Sequence, residues 1–205
     1  MKEKPNKSLV DEVLVRLNSC DSFLDFGEIR DDTIEHIRSW RNLQIDVLRQ
    51  KKHISSQEQL KYFTKIAWPE MKKAQPVQLI FTLEQRSELQ GYGGLVNIDW
   101  DHMRAEVSFL LRPEIERIAK KKTALFSEFL ERITGVAFDH LRLNRLFTET
   151  YTHRVSHIGV LEKCNFVAEG TLRQHVRGPE GFQDSVIHAK LRSDTDGNEI
   201  QRSLA

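Results

Sequence analysis

The order of hydrophobic periods between residues 77 and 151 is the feature that most limits the folds open to this chain. A strand-like pattern appears three times in succession, at 77–83, 91–99 and 105–111. The period then becomes helical from Thr123 to about His140, and a strand pattern returns at 144–151. Such alternation favours a mixed sheet that is covered by helices on both faces.

The flanking segments extend this arrangement. Apolar residues at helical spacing predict a short helix at 9–17, and two more helices are predicted within 30–42 and 55–66. Ser55 and Glu58 form a capping-box pattern at the start of the last of these. Weak strand alternation marks 23–30. The C-terminal third predicts a helix at 154–164 and two strands, 166–176 and 183–193, joined by a turn at 178–181.

The sequence therefore predicts an α/β fold of the α+β kind, with a mixed central sheet of about six to seven strands. We expect residues 22–193 to form a single domain, residues 1–21 to be an N-terminal extension with a short helix, and residues 194–205 to be a polar flexible tail.

The charge balance limits the partners of this chain. Thirty-one Lys plus Arg stand against 30 Asp plus Glu, so the formal net charge is only +1. No global field then draws the protein to nucleic acid or to an anionic membrane. The segments lack the roughly 18 consecutive apolar residues of a membrane span. Cys20 and Cys164 fit no metal-ligand spacing, which favours a reduced cytoplasmic protein without a metal site.

The C-terminal third resembles a known family. The stretch "AFDHLRLNRLFTETYTHRVSHIGVLEKCNFVAEGTLRQHV" followed by "DSVIHAKLR" resembles the second half of Gcn5-related N-acetyltransferases, and "IRDDTIEHIRSWRN" resembles their start. The likeness covers about residues 22–193. The branch of the family that the chain resembles includes ribosomal-protein N-terminal acetyltransferases. "SWRN", "HISSQEQLKYF" and "YGGLVNIDWDHMRAEVSFLL" are most similar to nucleotide-linked amino-sugar N-acetyltransferases of surface-sugar biosynthesis.

This resemblance implies where the acetyl-CoA donor binds. Strands 105–111 and 144–150 would be parallel neighbours that splay apart, and the pantetheine arm would lie along residues Phe109, Leu110 and Leu111. The acceptor amine, once deprotonated, would attack the thioester directly. Glu106 is the first candidate for general base, because it lies on the strand expected to border the thioester and the resembling family often has a carboxylate there. Alternation along 105–111 turns it away from the core face. His102, Asp101 and His188 are alternative proton acceptors.

The proton donor of the resembling family is missing. Relatives place a tyrosine in the penultimate helix, and the corresponding residue here is Leu161, which cannot donate a proton. Tyr151 and Ser156 lie nearby in sequence and are the candidates to replace it. Loss of this donor is tolerable because a thiolate leaves readily.

The phosphate-binding signature of the family also departs from its pattern. The hexad Q/R-x-x-G-x-G/A falls on residues 121–126, "KKTALF", which contain no glycine. Two interpretations follow. Either lysine and arginine side chains bind the CoA phosphates in place of the glycine backbone, or the cofactor groove no longer binds CoA and the domain binds a ligand without catalysis. The candidate cofactor-binding residues are Arg117, Lys120, Lys121, Lys122, Thr123, Arg154 and His157.

The acceptor would contact the variable N-terminal half and the turn before the third strand. The candidate residues are Trp40, Arg41, Asn42, His53, Asn97, Asp99 and Trp100. We expect a small-molecule amine as acceptor, most specifically a nucleotide-linked amino sugar. A protein N-terminus and a catalytically silent binding role are the alternatives, and a homodimer is left open.

Overall fold

A computed structural model describes residues 8–178 and 181–195. Residues 1–7, the tip of the predicted turn at 178–181 and residues 196–205 of the predicted tail lie outside the described residues.

Seven strands form one mixed sheet in the order β1-β2-β3-β4-β5-β7-β6. Every neighbouring pair is antiparallel except β4 and β5, which are parallel. The predicted mixed sheet of six to seven strands is confirmed. The strands are β1 (Asp25–Gly27), β2 (Leu79–Gln85), β3 (Glu88–Asp99), β4 (Arg104–Leu111), β5 (Arg145–Tyr151), β6 (Val167–Gly178) and β7 (Gly181–Leu191).

Helices lie on both faces of the sheet. They are α1 (Leu9–Leu17), α2 (Asp31–Leu43), α3 (Ser56–Tyr62), α4 (Trp68–Met71), α5 (Pro113–Glu116), α6 (Ala119–Gly135) and α7 (Val155–Lys163). The capping box at α3 is confirmed, because the Ser55 hydroxyl accepts from the Glu58 amide and Glu58 accepts from the Ser55 amide. The long helix begins at Ala119 rather than at Thr123, so the lysine run lies in its first turn.

Two apolar clusters, one on each face, fix the helices to the sheet. The larger cluster joins α1, α6 and α7 to the sheet, and Val13 and Leu17 of α1 are buried in it. The smaller cluster joins α2 and the segment 63–71 to the opposite face. The N-terminal helix is thus packed into the core of the domain.

The parallel pair β4–β5 is joined along only part of its length. The paired positions are 104–106 of β4 with 145–147 of β5, whereas the described register contains no pairing between 107–111 and 148–151. The two strands therefore part beyond Glu106, as the family resemblance implied. Their unpaired backbone groups face a gap that can receive an extended ligand.

Candidate active site

The gap between β4 and β5 holds a cavity of about 110 Å³. On one side it is lined by the segment that follows α2, and on the other by α6 and α7. Its lining residues include Leu48, Arg49, Glu106, Phe109, Phe126, Glu149, Tyr151, Arg154, His157 and Leu161.

Glu106 lies at the point where the two strands part. Its side chain is only 6% exposed, and the Asn97 side-chain amide donates to its Oε2 at 2.8 Å. Asn97 reaches it because β3 is irregular there, with a φ of 50° at Asn97. The Arg49 guanidinium bonds the other carboxylate oxygen. Glu106 therefore points into the gap with both oxygens engaged.

Glu149 is a second buried carboxylate in the same gap. Its side chain is 10% exposed, and its Oε1 accepts a hydrogen bond from the Ser185 hydroxyl at 2.8 Å. Arg49 also donates to Glu149, with 3.2 Å between Nη1 and Oε2. One guanidinium from the loop after α2 thus joins two carboxylates from parallel strands.

Tyr151 lies at the end of β5 and lines the same cavity. Burial raises the pKa of the Tyr151 phenol, which therefore keeps its proton at neutral pH, and the hydroxyl donates to the Leu48 carbonyl at 3.2 Å. Leu161 lines the cavity from α7 without a proton to give. Ser156, the other predicted donor, is exposed and lies 3.3 Å from the Lys122 ammonium, outside the set of described lining residues.

A row of stacked rings fills the α6–α7 side of the gap. Phe109 stacks on Phe126 with centroids 4.4 Å apart, and Phe126 stacks on His157 at 4.2 Å. Burial, and then the positive charges of Arg154 and Lys122, lower the pKa of His157 well below its ordinary value. The imidazole is therefore neutral, and it packs as a third ring of the row.

This neutral histidine predicts a pH-dependent stability. As pH falls through about 6.5, the unfolded chain takes up a proton at His157 and the native chain does not, so the free energy of unfolding falls. We expect the contribution to reach about 1.4 kcal/mol per pH unit below that point. Urea titrations at about pH 5 and pH 7.5 measure it.

The matched variants for this measurement are His157→Phe, which keeps a stacked ring, and His153→Phe at an exposed position. His157→Phe should lose less stability on acidification than the wild type, whereas His153→Phe should follow it. Equal pH dependence in all three proteins would show that His157 is protonated in the native state.

A charged cluster stands where the glycine-rich loop of the resembling family would be. Glu116 pairs with the buried Lys122 ammonium and, at 3.2 Å, with Arg154. The hexad at 121–126 lies wholly within α6, and no side chain caps that helix at Ile118. Two of the predicted phosphate ligands thus already hold a carboxylate.

The remaining predicted cofactor residues are dispersed. Leu110 and Leu111 are buried in the two clusters, on opposite faces of β4, so their side chains are structural. Arg117 and Lys120 are exposed, and Lys121 and Thr123 are half-buried at the start of α6. The unbonded backbone of β4 and the first turn of α6 are the surfaces that remain for a pantetheine arm and its phosphates.

Most of the predicted acceptor residues hold the structure together. Trp40 is buried in the smaller cluster. Arg41 donates to Tyr92 at 2.7 Å and to Gln50, and Asn42 bonds both the amide and the carbonyl of Ile54, so these two residues fix the loop that carries Arg49. His53 is exposed.

The turn before β4 is also separate from the gap. Asp99 accepts from the His102 amide and pairs with Arg104, while the Trp100 indole donates to the Pro76 carbonyl. His102 is 73% exposed and lies outside the described lining of the gap. Asp101 lines a shallow cavity with Asp99 and Trp100. His188 is fully buried on β7, outside the described lining of the gap.

A second cavity of about 630 Å³ adjoins the gap and shares Leu48, Arg49 and Tyr151 with it. Its charged lining is mostly basic, and Asp46 is the one carboxylate among the lining residues that the structure describes. The basic residues are Arg49, Lys51 and Arg177, with His175 beside them. We call this cavity the basic groove.

Three charged residues of the site are absent from the sequence-based prediction. Glu149 has a sequence signal, since it alternates with Thr148 and Thr150 on a predicted strand. Arg49 lies in a loop and Glu116 ends the short helix α5, and neither has a period that would mark it. Within residues 8–178 and 181–195, no group of three or more potential ligands could hold a metal ion, and no helix is long and apolar enough to cross a membrane.

Comparison with known proteins places the chain in a family. Residues 28–186 match the family model described as an acetyltransferase (GNAT) domain. No curated protein matches the chain in sequence.

The fold is shared with solved structures. Spermidine N-acetyltransferase from Vibrio cholerae in complex with CoA and spermine is similar, with a TM-score of 0.71, 20% identity, and coverage of 84% of this chain and 98% of that one. A dodecameric structure of the same enzyme, in an intermediate state, gives a TM-score of 0.70 at 18% identity, over 85% and 97% of the two chains. The chain therefore belongs to the Gcn5-related N-acetyltransferase (GNAT) family and is an acetyl-CoA-dependent N-acetyltransferase that acts on an amine.

Proposed function

We propose that the acceptor is the primary amine of a sugar that is linked to a nucleotide, and that the protein acetylates it in the cytoplasm. The observation that carries this proposal is the basic groove beside Glu106. Its Arg49, Lys51 and Arg177 favour an acceptor that bears phosphate groups. The carboxylates Glu106 and Glu149 at the end of the groove favour an ammonium group on the same molecule.

Glu106 is the general base of the proposed reaction. It takes a proton from the acceptor ammonium, and the free amine then attacks the carbonyl carbon of the thioester. A C–N bond forms while the C–S bond breaks, and the CoA sulfur leaves as a thiolate. Tyr151 gives that thiolate a proton, since its phenol is neutral and lines the gap. The new amide nitrogen loses its second proton to solvent.

The donor enters from the opposite face of the sheet, where α6 and α7 lie. The gap of about 110 Å³ is smaller than the roughly 300–1,000 Å³ of ordinary ligand pockets. Phe109, Phe126 and His157 fill that side, so the acetyl-pantetheine arm enters when these rings shift. Lys122 and Arg154 then release Glu116 and bind the phosphates of the donor.

A polyamine fits this groove less well than a sugar nucleotide. Spermidine carries several positive charges, and Arg49, Lys51 and Arg177 would repel them. The structural similarity to a spermidine N-acetyltransferase, at 18–20% identity, concerns the fold. Charge around the acceptor groove, rather than fold, therefore guides the choice of substrate.

The test is an acetyl-transfer assay that detects the released CoA thiol. The acceptors are a uridine-diphosphate amino sugar, the same amino sugar without the nucleotide, spermidine and a short peptide with a free N-terminus. We expect the highest kcat/KM with the nucleotide-linked sugar. A preference for spermidine or for the peptide would overturn the substrate proposal. Absence of acetyl-CoA binding at millimolar concentration in calorimetry would indicate a silent binding domain instead.

Replacing Glu116 by glutamine should strengthen acetyl-CoA binding. The change removes the negative charge that Lys122 and Arg154 now neutralise, so both cations become available to the donor phosphates. We expect the Kd for acetyl-CoA to fall about fivefold, which corresponds to about 1 kcal/mol.

Calorimetric titration measures this change, and Glu114→Gln is the matched control, because Glu114 is an exposed carboxylate on the same short helix. The control should bind acetyl-CoA as the wild type does. Unchanged or weaker binding by the Glu116→Gln protein would mean that the cluster is purely structural.

A further inference from the structure

We propose that the Arg49 guanidinium occupies the place of the acceptor ammonium, and that Glu149 is the residue that positions this ammonium beside Glu106. The inference rests on the proposed function in one respect, namely that the acceptor is an amine that enters from the Arg49 side. It assigns to Glu149 and Arg49 roles that the general chemistry of acetyl transfer does not require.

The two carboxylates are rigidly held, and their present cation is not. Glu106 and Glu149 belong to strands, with side chains 6% and 10% exposed, and each has a neutral hydrogen-bond donor in Asn97 or Ser185. Arg49 belongs to the loop between the 3₁₀ turn Ile45–Val47 and α3, and its side chain is 52% exposed. The carboxylates therefore stay in place when the guanidinium moves.

The pair needs a cation in the gap. Burying two carboxylates side by side costs several kcal/mol unless a positive charge is bonded to both. Arg49 supplies that charge in the free protein by bonding Glu106 through Nη2 and Glu149 through Nη1. An ammonium group has three N–H donors and a unit charge, so it can make the same two bonds.

The position of the cation is also the position that the reaction requires. Glu106 marks the last paired residue of β4 before the strands part, so a group bonded to Glu106 and Glu149 lies at the mouth of the donor gap. An amine held there by Glu149 is presented to Glu106 for deprotonation and to the thioester for attack.

Arg49 has a new partner available once it is displaced. It lines both the gap and the basic groove, so a rotation of its side chain keeps it beside the acceptor. When the acceptor carries phosphate, the Arg49 guanidinium leaves the two carboxylates and binds that phosphate. The acceptor ammonium then takes the former place of the guanidinium. The exchange leaves no charge unpaired, and it favours an acceptor that has both an amine and an anionic group.

The test is the binding of n-butylammonium chloride by calorimetry in the absence of acetyl-CoA, with n-butanol as an uncharged probe of similar shape. Arg49→Ala should bind n-butylammonium about tenfold more tightly than the wild type, because no guanidinium competes for the carboxylates. The double variant Arg49→Ala, Glu149→Gln should lose that gain. Arg49→Lys, which keeps a cation, should restore the weak binding of the wild type.

Arg173→Ala is the matched control, since Arg173 is exposed on β6 and lies outside the described lining of both the gap and the basic groove. It should bind n-butylammonium as the wild type does. Equal affinity of the Arg49→Ala and wild-type proteins would overturn the proposal, as would equal gains for n-butanol or a gain that survives Glu149→Gln. The experiment uses no acetyl transfer, so its failure is distinct from failure of the substrate assay.

Discussion

Replacement of Glu106 by glutamine is expected to lower kcat by about 10²–10⁴-fold, the usual contribution of a general base. Glutamine keeps the shape of the side chain and can accept from Asn97 or Arg49 through its one carbonyl oxygen, but it cannot take a proton from the acceptor. The affinity for acetyl-CoA should stay near that of the wild type, because Lys122, Arg154 and the first turn of α6 are unchanged. The measurements are steady-state kinetics and acetyl-CoA titration of the same preparation.

Glu131→Gln is the matched control, because Glu131 is an exposed carboxylate on α6, away from the gap. Its kcat should equal that of the wild type. Two results would remove Glu106 from the mechanism: an unchanged kcat in the Glu106→Gln protein, or a wild-type rate that is flat between about pH 6 and pH 9.

The second large effect concerns stability, and it follows from Phe129. This ring is fully buried in the larger cluster, with centroids 6.2 Å from Phe26 and 4.7 Å from Phe109. It also lies close against β3, where a Cβ added to Gly93 would meet the Phe129 ring at 2.9 Å. We expect Phe129→Ala to lower the free energy of unfolding by about 3–5 kcal/mol, since it leaves a cavity between α6 and the sheet.

Urea unfolding measures this loss, and Phe182→Ala is the matched control. Phe182 is 66% exposed on β7, so the same substitution there should change stability by less than about 0.5 kcal/mol. Similar losses at the two positions would show that the α6–sheet contact contributes little to stability. The distinction matters for the site, because Phe129 supports the β4 segment that borders the donor gap.

The sequence predicted the framework of the site through patterns that are local. Alternation along β4 sets Ala105, Val107 and Leu111 in the core and turns Glu106 to the other face, and this face assignment is what the structure has. The parting of β4 from β5 was implied by the family resemblance, and the structure has it. The face of Glu106 and the capping box at Ser55 are as local spacing predicted. These features were predictable because period and short-range spacing are fixed by backbone geometry.

The start of α6 shows the limit of such patterns. The family resemblance predicted Lys122, in the first turn of α6, as a phosphate ligand. It is nevertheless buried against Glu116, six residues earlier, and Arg154 from α7 joins the same carboxylate. A lysine run predicts a positive helix start, but whether its charge is free depends on which residues pack against it.

The sequence alone determined the family, the order of helices and strands, and the placement of Glu106, because each depends on periodicity or on motifs within a short stretch of chain. Only the tertiary structure decided what surrounds Glu106. Arg49 bonds Glu106, which is 57 residues away in sequence, and Glu149, which is 100 residues away. No local pattern predicts ion pairs between segments so far apart in sequence. These pairs form only when the loop after α2 packs over the gap between two parallel strands. That packing decided which cation occupies the proposed acceptor site.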